Sequence, residues 1–343
     1  MPGDNAMENG SSGAAAADGG DQYMNEDASE QYDRQIRLWG VDAQKRMSGS
    51  KVLFSGINGV TAEGCKNLLL AGVSAVLQDD AAAQPSDIGA NFLLDGQDVG
   101  KNRAEASAES AKELNRLVSV SSETKPLADL PDEFFQAFRV VVLSGAAPSQ
   151  RRRISKLCRL FGAAFYTVET FGYDGFLFCD LGAKHTYRRE IGQNLSDPFD
   201  MEFPSLEEAL EVPWGSLKDR WGPPPKPFVV AQVIALFQDK FGRRPLPKDA
   251  PEFSSFLASA LEKNGLPADF LGGEGADAAA AAAAVCATAT AEVSPVCAIL
   301  GGILGQEVIK AISGKGAPAC NCVALTGMTG EAKMFRAPRK PKA

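Results

Sequence analysis

Residues 51–172 repeat one pattern, in which a short apolar or alternating run is followed by a segment whose apolar positions have helical spacing. The runs predict strands and the spaced segments predict helices. The predicted strands are 51–56, 74–80, 118–125, 139–145 and 163–172, and the predicted helices are 60–73, 103–117 and 149–162. Strands that alternate with helices pair in parallel through helical crossovers, so the pattern predicts a doubly wound, mostly parallel α/β sheet.

This regularity ends near Lys184. Residues 192–227 are acidic and rich in proline, which is typical of a loop or crossover. The spacing of 228–242 and 250–265 predicts two helices, and the alanine tract from Ala278 predicts a low-complexity spacer that runs into a further helix. We therefore expect an inserted loop and small helical subdomain over residues 186–290.

After this insertion the chain returns to the main domain. Residues 293–313 have the pattern of a long apolar helix, and a hairpin-like segment then closes the fold. The main domain is accordingly predicted to span residues 29–185 and 291–335. It is flanked by a segment rich in acidic and small residues, 1–28, that is predicted to be disordered, and by a short basic tail, 336–343.

Charge is concentrated at the N-terminus. The net charge is −8, and residues 1–30 hold seven acidic residues and no lysine or arginine, so the rest of the chain is nearly neutral. That balance shows no basic nucleic-acid footprint, and we expect no nucleic-acid partner. No run of 18 apolar residues predicts a membrane span and no signal peptide begins the chain, so we expect an intracellular protein without a membrane partner.

The turn after the first predicted strand is a candidate nucleotide site. Gly56 and Gly59 follow a strand and open a helix, which is the context in which backbone N–H groups bind a phosphate. Asn58 replaces the second glycine of the dinucleotide fingerprint, so a tight turn without a ligand is the alternative. Lys101, at the start of another predicted helix, could reach a phosphate or simply be solvated.

Other catalytic chemistry is scarce in this sequence. The seven cysteines are scattered, have no activating neighbours in sequence, and are expected to be reduced core residues. Cys320 and Cys322 have no second cysteine pair, and His185 is the only histidine. We therefore expect neither a metal site nor a Ser-His-Asp triad.

Several segments, taken as a series, resemble the adenylation-domain family of ubiquitin-like activating enzymes and their bacterial MoeB and ThiF relatives. The first is YDRQIRLWG, which begins at Tyr32, and the glycine turn, DVGKNRAEA and SPVCAILGGILGQEVIKAISGKG follow at the family's distances. The resemblance covers residues 31–185 and 292–335 and implies a Rossmann-like, ThiF-type adenylation fold. It is strongest for the branch of small, regulatory (Aos-type) subunits of SUMO-activating enzymes.

Residues that active family members use are missing. Those members carry an arginine that binds the phosphates, and Ala90 and Asn91 stand where their Arg-Gln pair would be. They also place an aspartate after the fourth strand to help hold magnesium, whereas residues 144–150 contain no carboxylate. The family's catalytic cysteine subdomain is not recognisable, because residues 192–290 contain only Cys286.

The resemblance therefore implies the non-catalytic half of a heterodimer. In this family two adenylation domains pair, and each N-terminal segment crosses toward the other's nucleotide. Arg34 would then reach ATP phosphates held by the partner, with Arg37 beside it, and a local salt bridge of Arg34 is the alternative. The implied partners are the large catalytic subunit of the SUMO-activating enzyme and the SUMO modifier. ATP and Mg would be bound mainly by that large subunit, and the expected location is the nucleus, with the cytoplasm as a second compartment.

Three other functions remain open at this point. The regulatory subunit of the neddylation activating enzyme shares the resemblance but is a much longer protein. A self-sufficient, MoeB-like homodimeric adenylyltransferase is opposed by the missing arginine and aspartate. A nicotinamide-dependent oxidoreductase is opposed by the broken glycine pattern and by the lack of a convincing catalytic residue.

Overall fold

The structure is a computed structural model that describes residues 30–191, 194–218, 222–272 and 277–338. The strands are β1 Lys51–Ser55, β2 Ser74–Gln78, β3 Val120–Glu123, β4 Val140–Leu143, β5 Ala164–Phe171, β6 Asp174–Asp180, β7 His185–Tyr187, β8 Glu190–Ile191, β9 Asn194–Leu195, β10 Phe199–Met201, β11 Cys322–Thr326 and β12 Glu331–Phe335. The helices are α1 Asp33–Trp39, α2 Val41–Ser48, α3 Gly59–Leu70, α4 Arg103–Lys112, α5 Pro148–Phe161, α6 Leu206–Leu210, α7 Lys226–Phe241, α8 Ala250–Lys263, α9 Ala278–Thr288 and α10 Ser294–Ser313. The segment predicted to be disordered, 1–28, and residues 339–343 of the predicted basic tail lie outside the described residues.

Eight strands form one sheet in the order β12-β11-β6-β5-β4-β1-β2-β3. The five from β3 to β5 are parallel, and β6, β11 and β12 add antiparallel pairs at one side. The predicted mostly parallel, Rossmann-like α/β fold is confirmed. The sequence pattern missed β6, because a tight turn at Gly172 makes a hairpin with β5 and breaks the strand–helix alternation on which the prediction rested.

The direction of chain winding reverses beside β1. This strand pairs with β2 on one side and with β4 on the other, so the connections after β1 and after β4 leave the sheet in neighbouring positions. In open α/β sheets, ligands bind outside the carboxyl ends of the strands at such a reversal. The fold therefore brings Gly56 and Ser144, which follow these two strands, to the place where a nucleotide site is expected.

Alternate residues of the central strands supply two cores, one on each face of the sheet. Val52 and Phe54 belong to a core that contains Leu68 of α3 and Leu304 of α10, whereas Leu53 belongs to a second core. This segregation follows from the two-residue repeat of a strand, which points successive side chains to opposite faces. Both faces of the sheet are thereby covered.

Glycines allow α3 and α10 to pack closely. A Cβ atom on Gly301 would lie 2.8 Å from the carbonyl oxygen of Val60, and one on Gly64 would lie 2.8 Å from a methyl carbon of Leu304. Larger residues at these positions would force the two helices apart. The close contact holds the N-terminal end of α3, and with it the candidate turn, against α10.

The inserted helices complete the second core. The ring of Phe228 on α7 packs edge-on against Phe176 of β6, with centroids 5.6 Å apart, and Phe237 packs on Phe253 of α8 with centroids 5.5 Å apart. The alanine tract itself forms α9 from Ala278 onward, where we expected a spacer before the helix. The helices from α7 to α9 thus cover one face of the sheet.

The C-terminal hairpin also extends further than its pattern indicated. Ala337, which the sequence placed in the basic tail, is buried, and its N–H donates to the Asn321 side-chain oxygen at 2.9 Å. The Asn321 amide donates in return to the Ala337 carbonyl at 2.8 Å. At least the first residues of the predicted tail therefore belong to the folded domain.

One described helix, α10, is long and apolar enough to cross a membrane by length and composition. In this fold, 67% of its most apolar window is buried inside the protein. A buried core helix has the same length and composition, so this helix is weak evidence for a membrane span.

Candidate functional site

The turn after β1 adopts a conformation that requires glycine at its first position. Gly56 has φ of +79°, and a Cβ atom there would overlap the carbonyl oxygen of Ser144. Asn58 caps α3, because its side chain accepts from the Thr61 N–H at 3.2 Å while the Thr61 hydroxyl accepts from the Asn58 N–H at 2.9 Å. The residues that break the glycine fingerprint therefore form a helix cap.

Two side-chain carboxylates accept the N–H groups of this turn. The Ile57 N–H donates to Asp79 at 2.7 Å, and the Gly59 N–H donates to Glu292 at 3.1 Å. The Thr170 hydroxyl lies within 3.3 Å of the other Glu292 oxygen, and burial raises the pKa of this carboxyl. Carboxylates favour the N-terminus of a helix for the same reason as phosphates, so the chain itself occupies donors that a nucleotide would use.

Arg103 closes the same region with a buried ion pair. Its guanidinium lies 2.8 Å from Asp79, which is only 4% exposed, and 3.4 Å from Asp87. Burial acts to lower the pKa of Arg103, but the charges of Asp79 and Asp87 outweigh it and the pKa is raised. The carboxylate that follows β2 is therefore paired internally. Sequence reasoning missed this role, because the partners are separated along the chain.

The methyl group of Ala90 packs against the turn. A Cβ atom on Gly59 would lie 2.9 Å from the Cβ atom of Ala90, and Ala90 and Asn91 are both buried. The residues that replace the family's Arg-Gln pair thus fill space beside α3 instead of presenting a guanidinium.

The loop after β4 has a carboxylate beside it, but that group is also paired. Glu169 of β5 accepts the Gly145 N–H at 3.1 Å, and its oxygens form ion pairs with Arg151 at 3.0 Å and with Arg244. Burial lowers the pKa of each of these arginines to about 10. Among the described residues, no three histidine, cysteine or acidic side chains form a group that could hold a metal ion. The carboxylate beside this loop is therefore already neutralised by two arginines.

Lys101 lies on the surface. Its ammonium group pairs with Asp98 at 2.8 Å, three residues earlier in the chain, and its side chain is 60% exposed. The sequence proposed Gly56, Gly59 and Lys101 as one degenerate cofactor site. The structure places Gly56 and Gly59 in one turn. The basic side chain that is paired beside this turn is Arg103 and not Lys101.

The N-terminal segment is anchored at Tyr32 and exposed at Arg34. The Tyr32 hydroxyl accepts from the Asn115 amide at 2.8 Å, and the ring is 2% exposed. The Gln35 amide donates to the Leu70 carbonyl at 2.9 Å. Arg34 is exposed and has no ion pair with any described residue, whereas Arg37 pairs with Asp33 at 2.9 Å. The local salt bridge considered for Arg34 is thus formed by Arg37.

Exposed apolar side chains accompany this segment. Leu38 is 64% exposed and Leu70 is 44% exposed. The apolar pattern of 293–313 and the face around Leu69, Leu70 and Val73 predict a large partner interface. This expectation is wrong for Leu69 and Val73, because both are fully buried in the chain's own core, whereas Leu70 is exposed. Helical spacing predicts that residues share a face but not whether that face meets the same chain or another.

The thiols are unsuited to nucleophilic catalysis, with one exception. Six of the seven cysteines are buried, and burial raises the pKa of Cys65 to about 12 and that of Cys286 to about 11. Cys320 is only partly buried, and the Arg336 guanidinium donates to its sulfur at 2.8 Å. The expectation that no cysteine has an activating neighbour is therefore wrong for Cys320, since a guanidinium favours the thiolate.

If the chain has the function that the sequence resemblance implies, we expect Cys320→Ser to leave transfer of a ubiquitin-like modifier to a partner subunit within about twofold of the wild-type rate. Arg336 touches the thiol, but the sheet holds this group away from the turn after β1, where the N–H donors of a nucleotide site lie. The measurement is a non-reducing gel of the assembled complex after addition of ATP and modifier, with Cys286→Ser as the buried control. A reducible conjugate on this chain that disappears with Cys320→Ser alone would contradict the expectation.

A Rossmann-like domain with a glycine turn at the winding reversal defines a class of nucleotide-linked α/β proteins. The ThiF family model matches residues 32–343, and the chain belongs to the ThiF family.

Named relatives cover nearly the same length. SUMO-activating enzyme subunit 1 from Danio rerio is 35% identical over an alignment of 340 positions, which covers 90% of this chain and 95% of that protein. SUMO-activating enzyme subunit 1B-1 from Arabidopsis thaliana is 38% identical over 299 residues, and the match covers 84% of this chain and 90% of that protein. The Homo sapiens SUMO-activating enzyme subunit 1 is 34% identical over 337 aligned positions, and the match covers 90% of this chain and 94% of that protein.

A solved structure supports the fold alone. The "Crystal Structure of SeMet PaaA" superposes with a TM-score of 0.57 at 14% identity, and the match covers 92% of this chain and 75% of that one. Identity at this level carries no information about activity.

Proposed function

We propose that this chain is the small, regulatory (Aos-type) subunit of a SUMO-activating enzyme. It would pair with the large catalytic subunit and complete that subunit's ATP-dependent adenylation site, so that the complex activates SUMO for protein sumoylation. Relatives that carry this name match nearly the whole chain. The observation that carries the proposal is that Asp79 and Glu292 of the chain itself accept the N–H groups of its nucleotide turn.

This arrangement suggests what each subunit contributes to the adenylation site. ATP and magnesium would be held mainly by the large subunit, because Asp79, Glu292 and Glu169, the carboxylates around this chain's turn, are paired within the chain. Arg34 would be this chain's contribution, since it is exposed on a segment that Tyr32 fixes to the core. A guanidinium stays charged at any working pH and can bind phosphate oxygens through two donors. We propose the nucleus as the location of the complex, with the cytoplasm as a second compartment, since the family resemblance implies these locations.

The test is reconstitution with defined partners. The full chain is combined with the large subunit of a SUMO-activating enzyme or of a neddylation enzyme, and thioester formation with each modifier is followed on a non-reducing gel. We expect a SUMO thioester on the large subunit only when both subunits are present. Pyrophosphate exchange by this chain alone, or thioester formation only with the neddylation partner, would refute the proposal.

The chain alone should not bind ATP·Mg with useful affinity. The donors of its turn are taken by Asp79 and Glu292, and Glu169 is paired with two arginines. Calorimetric titration of the purified chain should show no saturable heat up to about 1 mM nucleotide, a concentration that corresponds to about 4 kcal/mol of binding free energy. The reconstituted complex serves as the positive control. A dissociation constant in the low micromolar range for the isolated chain would contradict the prediction.

A further inference from the structure

A polar pocket opens at the edge of the sheet opposite the nucleotide turn. It has a volume of about 480 Å³. Arg139 directly precedes β4 and Gly162 lies two residues before β5, so the pocket lies at the N-terminal ends of these parallel strands. The last residues of α10 and the strand β7 complete its wall. The pocket is therefore separate from the region that contains Gly56.

The charged side chains that line this pocket are cationic. They are Arg46, Arg139, Lys184 and Arg188, and His185 stands among them. None of the described residues that line the pocket is acidic. A wall of one charge sign raises the local concentration of ligands of the opposite sign.

Most of this charge is not neutralised within the described part of the chain. Lys184 pairs with Asp200 at 3.0 Å. Arg46 donates to the Ser313 carbonyl and Arg188 donates to the Ser196 carbonyl at 3.0 Å, and neutral carbonyls leave the guanidinium charges in place. Arg139 forms no side-chain hydrogen bond or ion pair with a described residue. Three guanidinium groups thus line this pocket without a carboxylate partner among the described residues.

His185 supplies an unsatisfied polar atom in the same place. Its Nε2 atom is buried and has no hydrogen-bond partner among the described residues, and its ring packs edge-on against Phe203 with centroids 6.2 Å apart. Burial lowers the pKa of His185, and the charge of Arg139 adds to the effect. Two other charged groups lie near His185. They are Lys184, the residue before it, and Asp200, which pairs with Lys184 and lies on β10, the strand that pairs with β7. An unpartnered buried nitrogen is costly unless a ligand satisfies it.

We propose that this pocket binds a small organic anion that carries at least two phosphate groups. Guanidinium groups match phosphate oxygens through paired donors, and three of them from separate elements suit a ligand with more than one such group. The volume lies in the range of small-molecule sites and exceeds what a single inorganic ion needs. The bound anion would place an acceptor near His185 and favour its protonated form.

The single histidine of the chain makes the test unambiguous. The full chain is labelled with ¹³C in the histidine ring, alone or assembled with an unlabelled partner subunit, and the one imidazole signal is titrated with acid. We expect inositol hexakisphosphate to raise the pKa of His185 by about one unit, because an anion stabilises the imidazolium. Its affinity should accordingly rise as the pH falls toward about 6. Sulfate at the same concentration should shift the pKa much less, and uncharged inositol should not shift it.

Matched variants separate a built site from general charge attraction. Arg139→Gln with Arg188→Gln should weaken binding of inositol hexakisphosphate at least tenfold, since each substitution removes charge-assisted contacts with the phosphate oxygens. Lys248→Gln with Lys263→Gln removes the same net charge from exposed positions of the inserted helices and should change affinity less than about twofold at 0.15 M salt.

Equal losses in the two double variants, or an unchanged His185 signal at saturating probe, would overturn the proposal. If the arginine double variant does not fold, Arg139→Gln alone decides the question, because its side chain has no described partner to lose. It should weaken binding about threefold or more, and unchanged affinity would again overturn the proposal. Neither outcome bears on the proposed subunit function, whose test uses a different site and readout.

Discussion

Replacing Arg34 by alanine should lower modifier adenylation by the assembled heterodimer about 10²-fold. Adenylation builds negative charge on the α-phosphate as the modifier's carboxylate attacks and pyrophosphate leaves. A guanidinium delivered from the neighbouring subunit pairs with those oxygens where the charge develops. Preorganised donors of this kind contribute about 10²–10³ in rate and arginine fingers in phosphoryl transfer about 10³–10⁵, and we expect the low end, about 10², because the large subunit keeps its own cationic groups.

Arg34 and Arg37 differ in their local ion pairs. Both are exposed on α1, but Arg37 is held by Asp33, whereas Arg34 has no described ion pair. Arg37→Ala is therefore the matched control, and it should lower the rate less than about threefold, as expected for the loss of an exposed helical pair. Arg34→Lys should restore little activity, since an ammonium group lacks the planar pair of donors.

The measurement is ATP–pyrophosphate exchange at saturating modifier, with size-exclusion chromatography of each mutant complex. Heterodimer formation should survive all three substitutions, because the segment is anchored through Tyr32 and Gln35. Exchange by the Arg34→Ala complex within threefold of wild type, or dissociation of that complex, would assign Arg34 a structural role or none.

The second large effect concerns stability. Arg103→Ala should lower the free energy of unfolding by about 3–5 kcal/mol, because it leaves Asp79 as an uncompensated buried charge. Asp79 also accepts the Ile57 N–H, so the loss of its partner should loosen the turn after β1. Denaturant unfolding of both proteins measures this difference in unfolding free energy, provided that their m-values are similar.

Two further variants control for this interpretation. Lys101→Ala, two residues away, breaks an exposed pair with Asp98 and should leave the unfolding midpoint nearly unchanged. Arg103→Ala combined with Asp79→Asn should recover part of the loss, since the buried charge is then removed as well. A single Arg103→Ala variant as stable as the wild type would show that Asp79 is hydrated or protonated in the native state.

Local periodicity determined the central part of the fold. The apolar runs at Val52 and Val141 are strands whose apolar residues are buried, and the spaced leucines of 60–73 lie on α3. These patterns are readable because the two-residue and 3.6-residue repeats each place apolar side chains on one face. β6 was missed for the complementary reason, since a hairpin continues a strand region without the helix that the alternation requires.

The sequence also identified what the site lacks. The absence of a carboxylate over 144–150 and the replacement at Ala90 and Asn91 are properties of residue type, so they can be read without coordinates. What occupies the turn instead could not be read. Gly59 and Glu292 are 233 residues apart and Asp79 and Arg103 are 24 apart, and no local repeat connects either pair.

Tertiary structure alone decided which charges are satisfied. Asp79 pairs with Arg103, and Glu169 pairs with Arg151 and Arg244, although no helical or strand repeat connects these residues along the chain. His185 looked like an isolated histidine until the fold placed it among Arg46, Arg139 and Arg188. Residue type and spacing determine secondary structure because those interactions are local, whereas the partner of a charged side chain depends on which distant segments the packed cores bring within hydrogen-bond distance.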